Sequence, residues 1–270
     1  MYIWRYFWAI FLIVLGVLFL LSNLGLLPGE VWSYLWPLFL ILLGVLFLIG
    51  ASGRGRRWAA APIVNDSLQL DGAASGQLTF KHGAGRLYVY AGSDPQLLFT
   101  GAFGGGVNKQ VQRRGNELDV TLSANIQDWT SWMGPWGWDG DRLDWNVGLN
   151  PALPLALAFE TGASQTTLNL STLRVTALSL KTGASATEIT MPAQAGLTRA
   201  RIESGAASVK VRVPDGVAAR IYGQMGLGAL DVDTRRFPWR AGAYESDDFA
   251  TAANRVELSI EGGVGSVEVR

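Results

Sequence analysis

Any Ser-His-Asp arrangement in this chain of 270 residues would have to use His82, its single histidine, and there is no cysteine to serve as a thiolate nucleophile. A Ser-His-Asp arrangement in a hydrolase places its serine on a sharp elbow of the Gly-x-Ser-x-Gly type, and no such pattern occurs. Serine does follow Gly-Ala at Gly162-Ala163-Ser164 and Gly183-Ala184-Ser185, but these tripeptides recur as parts of a longer repeat. His82 is therefore expected as a hydrogen-bonded surface or edge histidine. The missing cysteines also remove disulfides, thiolate nucleophiles and Cys-ligated metal centres. Asp139, Asp141 and Asp144 offer oxygen donors at short spacing, yet the full calcium loop with its closing glutamate is missing. Asp247-Asp248 reads as solvated loop charge. Gly104-Gly105-Gly106 and Gly226-Leu227-Gly228 lack the flanking residues of a phosphate loop. No metal, cofactor or catalytic residue is expected, and the chain reads as a non-enzyme.

The densest group of unusual side chains is aromatic. Trp129, Trp132, Trp136, Trp138 and Trp145 stand among acidic residues and turn formers. Exposing this much indole to water is unfavourable. The segment is expected either to contact a lipid interface or a protein partner, where tryptophan is favoured, or to fold back over an open end of the domain. Its acidity opposes docking on anionic lipid. Lys plus Arg and Asp plus Glu both number 22, and basic residues cluster only at Arg54, Arg56 and Arg57. That leaves no electrostatic footprint for nucleic acid.

The elements that must position these residues fall into two classes. Residues 1–50 hold one arginine and one glutamate and are otherwise almost wholly apolar. Ile3–Leu21 and Val31–Ile49 each approach the roughly 20 apolar residues that span a bilayer core, which predicts a two-helix transmembrane hairpin and a multi-pass protein of the cell membrane. The spans repeat one another, Phe11–Leu20 matching Phe39–Leu48 with Gly16 and Gly44 aligned, so the helices can approach closely. Trp4, Trp8, Trp32 and Trp36 are expected as interfacial anchors to membrane lipid, with Arg54, Arg56 and Arg57 on the basic juxtamembrane linker 51–65. The loop Ser22–Glu30 has no Lys or Arg. By the positive-inside rule both chain ends, and the domain at 66–270, are expected in the cytoplasm.

Beyond the linker the sequence repeats. Six segments align on Gly83, Gly162, Gly183, Gly205, Gly226 and Gly263, with steps of 21 or 22 residues from Gly162 to Gly226. The fourth residue after each glycine is Leu87, Thr166, Thr187, Val209, Leu230 or Val267, and the sixth is Val89, Leu168, Ile189, Val211, Val232 or Val269. Alternation with polar positions is the period of half-buried strands. So short a unit cannot bury its apolar face alone, and successive units are expected to stack as an all-β, solenoid-like array, each strand pairing with its equivalent in the next coil. The glycines are expected at corners that need positive φ or close backbone approach. Two residues before them stand Lys81, Glu160, Lys181, Glu203, Gln224 and Glu261, which predicts weakly favourable cross-strand pairs. Insertions at 123–150 and 234–254 interrupt the repeat, where functional loops are expected.

The repeated apolar pair with its Leu-Gly-Val-Leu-Phe-Leu run and Trp36-Pro37, followed by a glycine-punctuated β-domain, resembles bacterial membrane proteins of the LiaF-like group, the cell-wall-active-antibiotics response proteins. The β part looks like the toast-rack and adhesin-type domains often joined to them. The Trp-rich insertion is not part of that resemblance. What it implies is a non-catalytic regulator of the envelope-stress response acting on a membrane protein such as a sensor kinase. Two other readings stand beside it: an adhesin-like scaffold able to form homo-oligomers, and a β-helix enzyme acting on polysaccharide.

Overall fold

The computed structural model describes residues 63–124 and 143–270. The hairpin at 1–50, its anchors Trp4, Trp8, Trp32 and Trp36, the arginines Arg54, Arg56 and Arg57, and Trp129, Trp132, Trp136 and Trp138 lie outside the described residues, as do Asp139 and Asp141. Among the described residues no helix is long and apolar enough to cross a membrane. Regular structure there is β: β1 (Ile63–Gln69), β2 (Ser75–Ala91), β3 (Leu97–Gly104), β4 (Val107–Arg114), β5 (Glu117–Ala124), β6 (Trp145–Leu149), β7 (Leu155–Asn169), β8 (Val175–Thr182), β9 (Ala186–Thr190), β10 (Leu197–Arg212), β11 (Ala218–Val232), β12 (Trp239–Arg240), β13 (Ala243–Glu245) and β14 (Arg255–Val269). The first strand begins inside the stretch expected as linker.

The repeats form parallel layers in the register that the glycines predict. Phe80 pairs with Phe159, Phe159 with Leu180, Leu180 with Ile202, and Ile202 with Ile260. Beyond the corner Val89, Leu168, Ile189, Val211 and Val269 continue in the same way. Both arms bury alternate side chains, and these stacked columns are the core. The two arms of β2, β7, β10, β11 and β14 run on through the corner, whereas the third layer is split into β8 and β9.

The order of layers corrects the simple solenoid. β14, the sixth copy, lies between β10 and β11, the fourth and fifth. Self-similarity identifies equivalent strands but carries no information about their neighbours. The long connection after Val232 lets the chain pass one layer and return. That connection, read as an insertion, holds β12 and β13, and β13 pairs antiparallel with Arg220 and Ile221 of β11.

The other insertion also proves to be partly framework. β5 pairs in parallel with the first arm of β2, placing Val120 against Leu78 and Leu122 against Phe80. β6 pairs in parallel with the second arm, placing Trp145 against Leu87 and Val147 against Val89. Together they make one more layer, with residues 125–142 standing between its two arms in the sequence, where the other layers carry their glycine. The hairpin β4–β5 and the antiparallel set β6–β3–β1 extend this end of the sheet.

The corner glycines are there for space. Gly162, Gly183, Gly205, Gly226 and Gly263 all lie outside the positive-φ region. Each presents its missing side chain to the carbonyl oxygen of the glycine one layer away: a Cβ would lie 3.2 Å from that oxygen at Gly183 and Gly205, 2.8 Å at Gly263, and closer still at Gly162. A methyl group there would force the layers apart from the spacing of roughly 4.8 Å that their hydrogen bonds require.

Candidate interaction surface

Two threonines sit where the buried columns otherwise carry aliphatic residues, and the Gly-Ala-Ser tripeptides explain them. Ser164 Oγ bonds Thr166 Oγ1 at 3.3 Å and Ser185 Oγ bonds Thr187 Oγ1 at 3.3 Å, while Thr161 donates to Thr182 at 2.9 Å. Thr166 and Thr187 are fully buried. A buried hydroxyl costs stability unless it is paired. The serines therefore satisfy the inside of the corner, and none is poised as a nucleophile.

A shallow groove of about 980 Å³ runs across the layers at the corner, lined by Glu160, Lys181, Glu203, Gln224 and Glu261 among others. This is the charged column expected from the sequence, and its members neutralise one another: Lys81–Glu160 and Lys181–Glu203 lie at 3.3 Å, Arg201–Glu203 at 2.8 Å and Arg201–Glu261 at 2.9 Å. Arg201, then Lys181, holds the Glu203 carboxyl below its ordinary range. Glu245 is lowered likewise by Arg220, and Asp233 by the backbone N–H of Arg235. A general acid needs the opposite shift. The groove is suited to contact with a polar or charged surface.

The sequence expectation for His82 is corrected. Its ring is 1% exposed, and Nε2 donates to the Leu143 carbonyl at 2.7 Å, while Nδ1 is buried with no partner. Burial pushes its pKa down, against a smaller opposing effect of the Leu143 hydrogen bond and of Asp144. The first position of β2 beyond its corner glycines holds the same segment from outside: Arg86 Nε donates to Asp144 Oδ2 at 2.8 Å, and Arg86 N to Asp144 Oδ1 at 3.1 Å. Asp144, the described member of the acidic trio, is thus held by arginine. Among the described residues no group of three His, Asp or Glu side chains converges as a metal site.

Trp145 is also corrected as a contact residue. It is 1% exposed, lies 5.1 Å from His82 and 5.0 Å edge-on from Phe103, and donates Nε1–H to Gly104 O at 3.3 Å. Its position on β6 faces the core, which proximity to the other tryptophans in sequence could not reveal. Sequence reasoning missed the opposite end as well. Leu227 is 79% exposed and Val264 54%, at corner positions that are alanine in the preceding layers, Ala163, Ala184 and Ala206.

A parallel, glycine-cornered β-stack with paired surface charges defines the fold class of the domain. Residues 62–212 match the family described as the N-terminal domain of toast_rack, DUF2154, which is more than half of the chain. The chain belongs to that family. Residues 6–48 match the LiaI-LiaF-like transmembrane region, so the protein is membrane-associated. No curated protein matches. Among solved structures, a Clostridium sporogenes ATCC 15579 protein proposed to act in cell adhesion is similar at 18% identity and TM-score 0.68, over 77% of this chain and 98% of that one. This likeness shows the fold alone. A proposed adhesin from Bacteroides fragilis NCTC 9343, 9% identical over 77% of this chain and 97% of its own, has a TM-score of 0.29, too low to carry an argument.

Proposed function

We propose that this protein is a membrane-anchored, non-catalytic regulator of the bacterial envelope-stress response, which acts by protein–protein contact on a membrane partner such as a sensor kinase. The observation that carries this reading is the union of a LiaI-LiaF-like transmembrane region with a toast-rack domain in one chain. The mutually paired charges of the corner groove support it, since such a surface can dock a polar partner and offers no raised carboxyl for acid catalysis. The domain faces the cytoplasm, and Trp129, Trp132, Trp136 and Trp138 contact the partner or the lipid interface.

The test is transcription from an envelope-stress promoter under a cell-wall-active antibiotic, in cells with and without the gene. Loss of the protein should shift the response threshold, and the full chain should restore it; an unchanged threshold overturns the regulatory reading. Replacing those four tryptophans should weaken capture of the kinase. An adhesin-like scaffold is the second reading, favoured by the fold shared with the clostridial protein. A reporter fused after Arg270 separates them: activity only from an extracytoplasmic reporter supports the adhesin.

A further inference from the structure

Among the described residues, the edge of the stack formed by β11 is open over most of its length. β14 pairs with one side of this strand from Ala218 to Val232, while on the other side, among the described residues, β13 pairs only with Arg220 and Ile221. The turn that begins at Asp233 closes the far end, where Asp233 N donates to Val269 O. Tyr222–Asp231 is therefore a ten-residue row of strand with one unpaired side. Such an edge templates pairing with another strand unless charge, proline or a cover blocks it. β4, an edge at the opposite end, carries Lys109, Arg113 and Arg114. The β11 row carries no proline and one charged residue, Asp231, already paired with Arg270.

We propose that this row pairs antiparallel with the same row of a second copy of the chain, about a two-fold axis passing between Gly226 and Leu227. The corner makes the row symmetric about that point. In β10 the inward residues are Ala200, Ile202 and Ser204 on one arm and Ala207, Val209 and Val211 on the other, with Gly205 and Ala206 both outward at the corner. The equivalent inward positions of β11 are Ile221, Gly223 and Met225, then Gly228, Leu230 and Val232. A two-fold axis through the corner maps each inward position onto another inward position.

The residues so paired are complementary in size. Met225 falls opposite Gly228 of the second copy, Leu230 opposite Gly223, and the exposed Leu227 opposite Gly226. The same partners already fit one another within a single layer: a Cβ at Gly228 would lie 2.9 Å from Met225 Cε, and one at Gly223 would overlap Leu230. Asp231 falls opposite Tyr222, and Gln224 opposite Ala229, so no like charges meet. An isologous contact needs this self-complementarity. A flanking β13 in each copy, lying in the layer the new strand would enter, limits slippage of the register.

The absence of cysteine makes the test clean. Strand spacing of about 4.8 Å and a rise of about 3.3 Å put the two Leu227 α-carbons roughly 6 Å apart, inside the disulfide range. The full chain is purified in detergent as Leu227→Cys and, for comparison, as Ala184→Cys, an exposed residue at the same corner position in mid-stack. Mild oxidation should give at least tenfold more disulfide dimer from Leu227→Cys than from Ala184→Cys. Mixed Gln224→Cys and Ala229→Cys chains should cross-link to each other in preference to themselves. Equal cross-linking at 184 and 227, as from a dimer held elsewhere, overturns the proposal. So does a wild-type chain that is monomeric by light scattering, or a cross-linking pattern in which residues 224 and 229 each prefer their own kind.

Discussion

The two ends of the stack solve the problem of a terminal layer in opposite ways. At the β5/β6 end, antiparallel strands and large rings close the core: Phe80 stacks on Phe159 at 4.9 Å, and Trp145, Phe103 and Phe99 form an edge-to-face chain. Basic side chains line the outer strand β4. At the β11 end the terminal layer has glycine at three positions, Gly223, Gly226 and Gly228, with Met225 folded over Gly228 and over Gly262 of β14 beneath it. One end is filled and its β4 edge is charged, whereas the other is thin and its β11 edge is nearly free of charge. The same repeat unit can thus serve as a finished end or as a contact surface, depending on which residues occupy its inward columns.

Four measurements would break or sharpen that contrast. The largest effect is expected from Phe80→Ala, which removes a fully buried ring and should cost about 3–5 kcal/mol, read as a lower denaturant midpoint. Leu227→Ala at the other end should leave the same midpoint unchanged at protein concentrations low enough to keep the chain monomeric, because the residue lies 79% exposed in the single chain. If both substitutions cost the same, the ends do not differ as described. Gly162→Ala comes next, since its Cβ would overlap Gly83 O; overpacking of about 1–3 kcal/mol is expected. Gly205→Ala, with 3.2 Å available, should cost less, and the reverse ranking would mean that the corners are not limited by carbonyl approach.

The pH dependence at the filled end should be smaller. His82 has its pKa lowered by burial, so the unfolded chain binds more protons than the folded one below the ordinary imidazole value of about 6.5. Stability is then fully present above that value and falls as pH drops towards the folded-state pKa. A His82→Gln variant should lose this part of the pH slope, and an unchanged slope between the two proteins would remove His82 as its source. The smallest effect is expected for Glu203→Gln in the exposed corner groove, where solvent screens the pair with Lys181. Its thermal midpoint should match wild type in moderate salt.

Much of this contrast was legible in the sequence, and its limits have physical causes. The glycine column and the two apolar columns after it predict the register of the six aligned layers, because in-register parallel stacking repeats one environment for each position. The charged column at Lys81, Glu160, Lys181 and Glu203 paired as its alternation predicts. Layer order was not legible, since Val211, Val232 and Val269 are interchangeable by type and only backbone pairing separates them. The β5/β6 layer escaped detection because its corner glycine is replaced by an insertion, which cuts the repeat in half. Trp145 and His82 were misplaced for a related reason. An aromatic residue and a neutral imidazole suit either surface or core, and only the burial of the β6 arm decides between them.

The position of β14 sets a clock for assembly. β11 leaves the ribosome before its long partner β14 exists, and β10 waits with its far side bare for the same strand. The residues from Asp233 to Val269 must be added first, which takes a few seconds at about 5–20 residues per second. During that interval the chain presents two strands that still await β14, one of them glycine-rich and nearly free of charge. A nascent molecule beside others on the same membrane is therefore most open to exchange of these layers just before β14 is complete, and the order of strands in the finished stack records that late insertion.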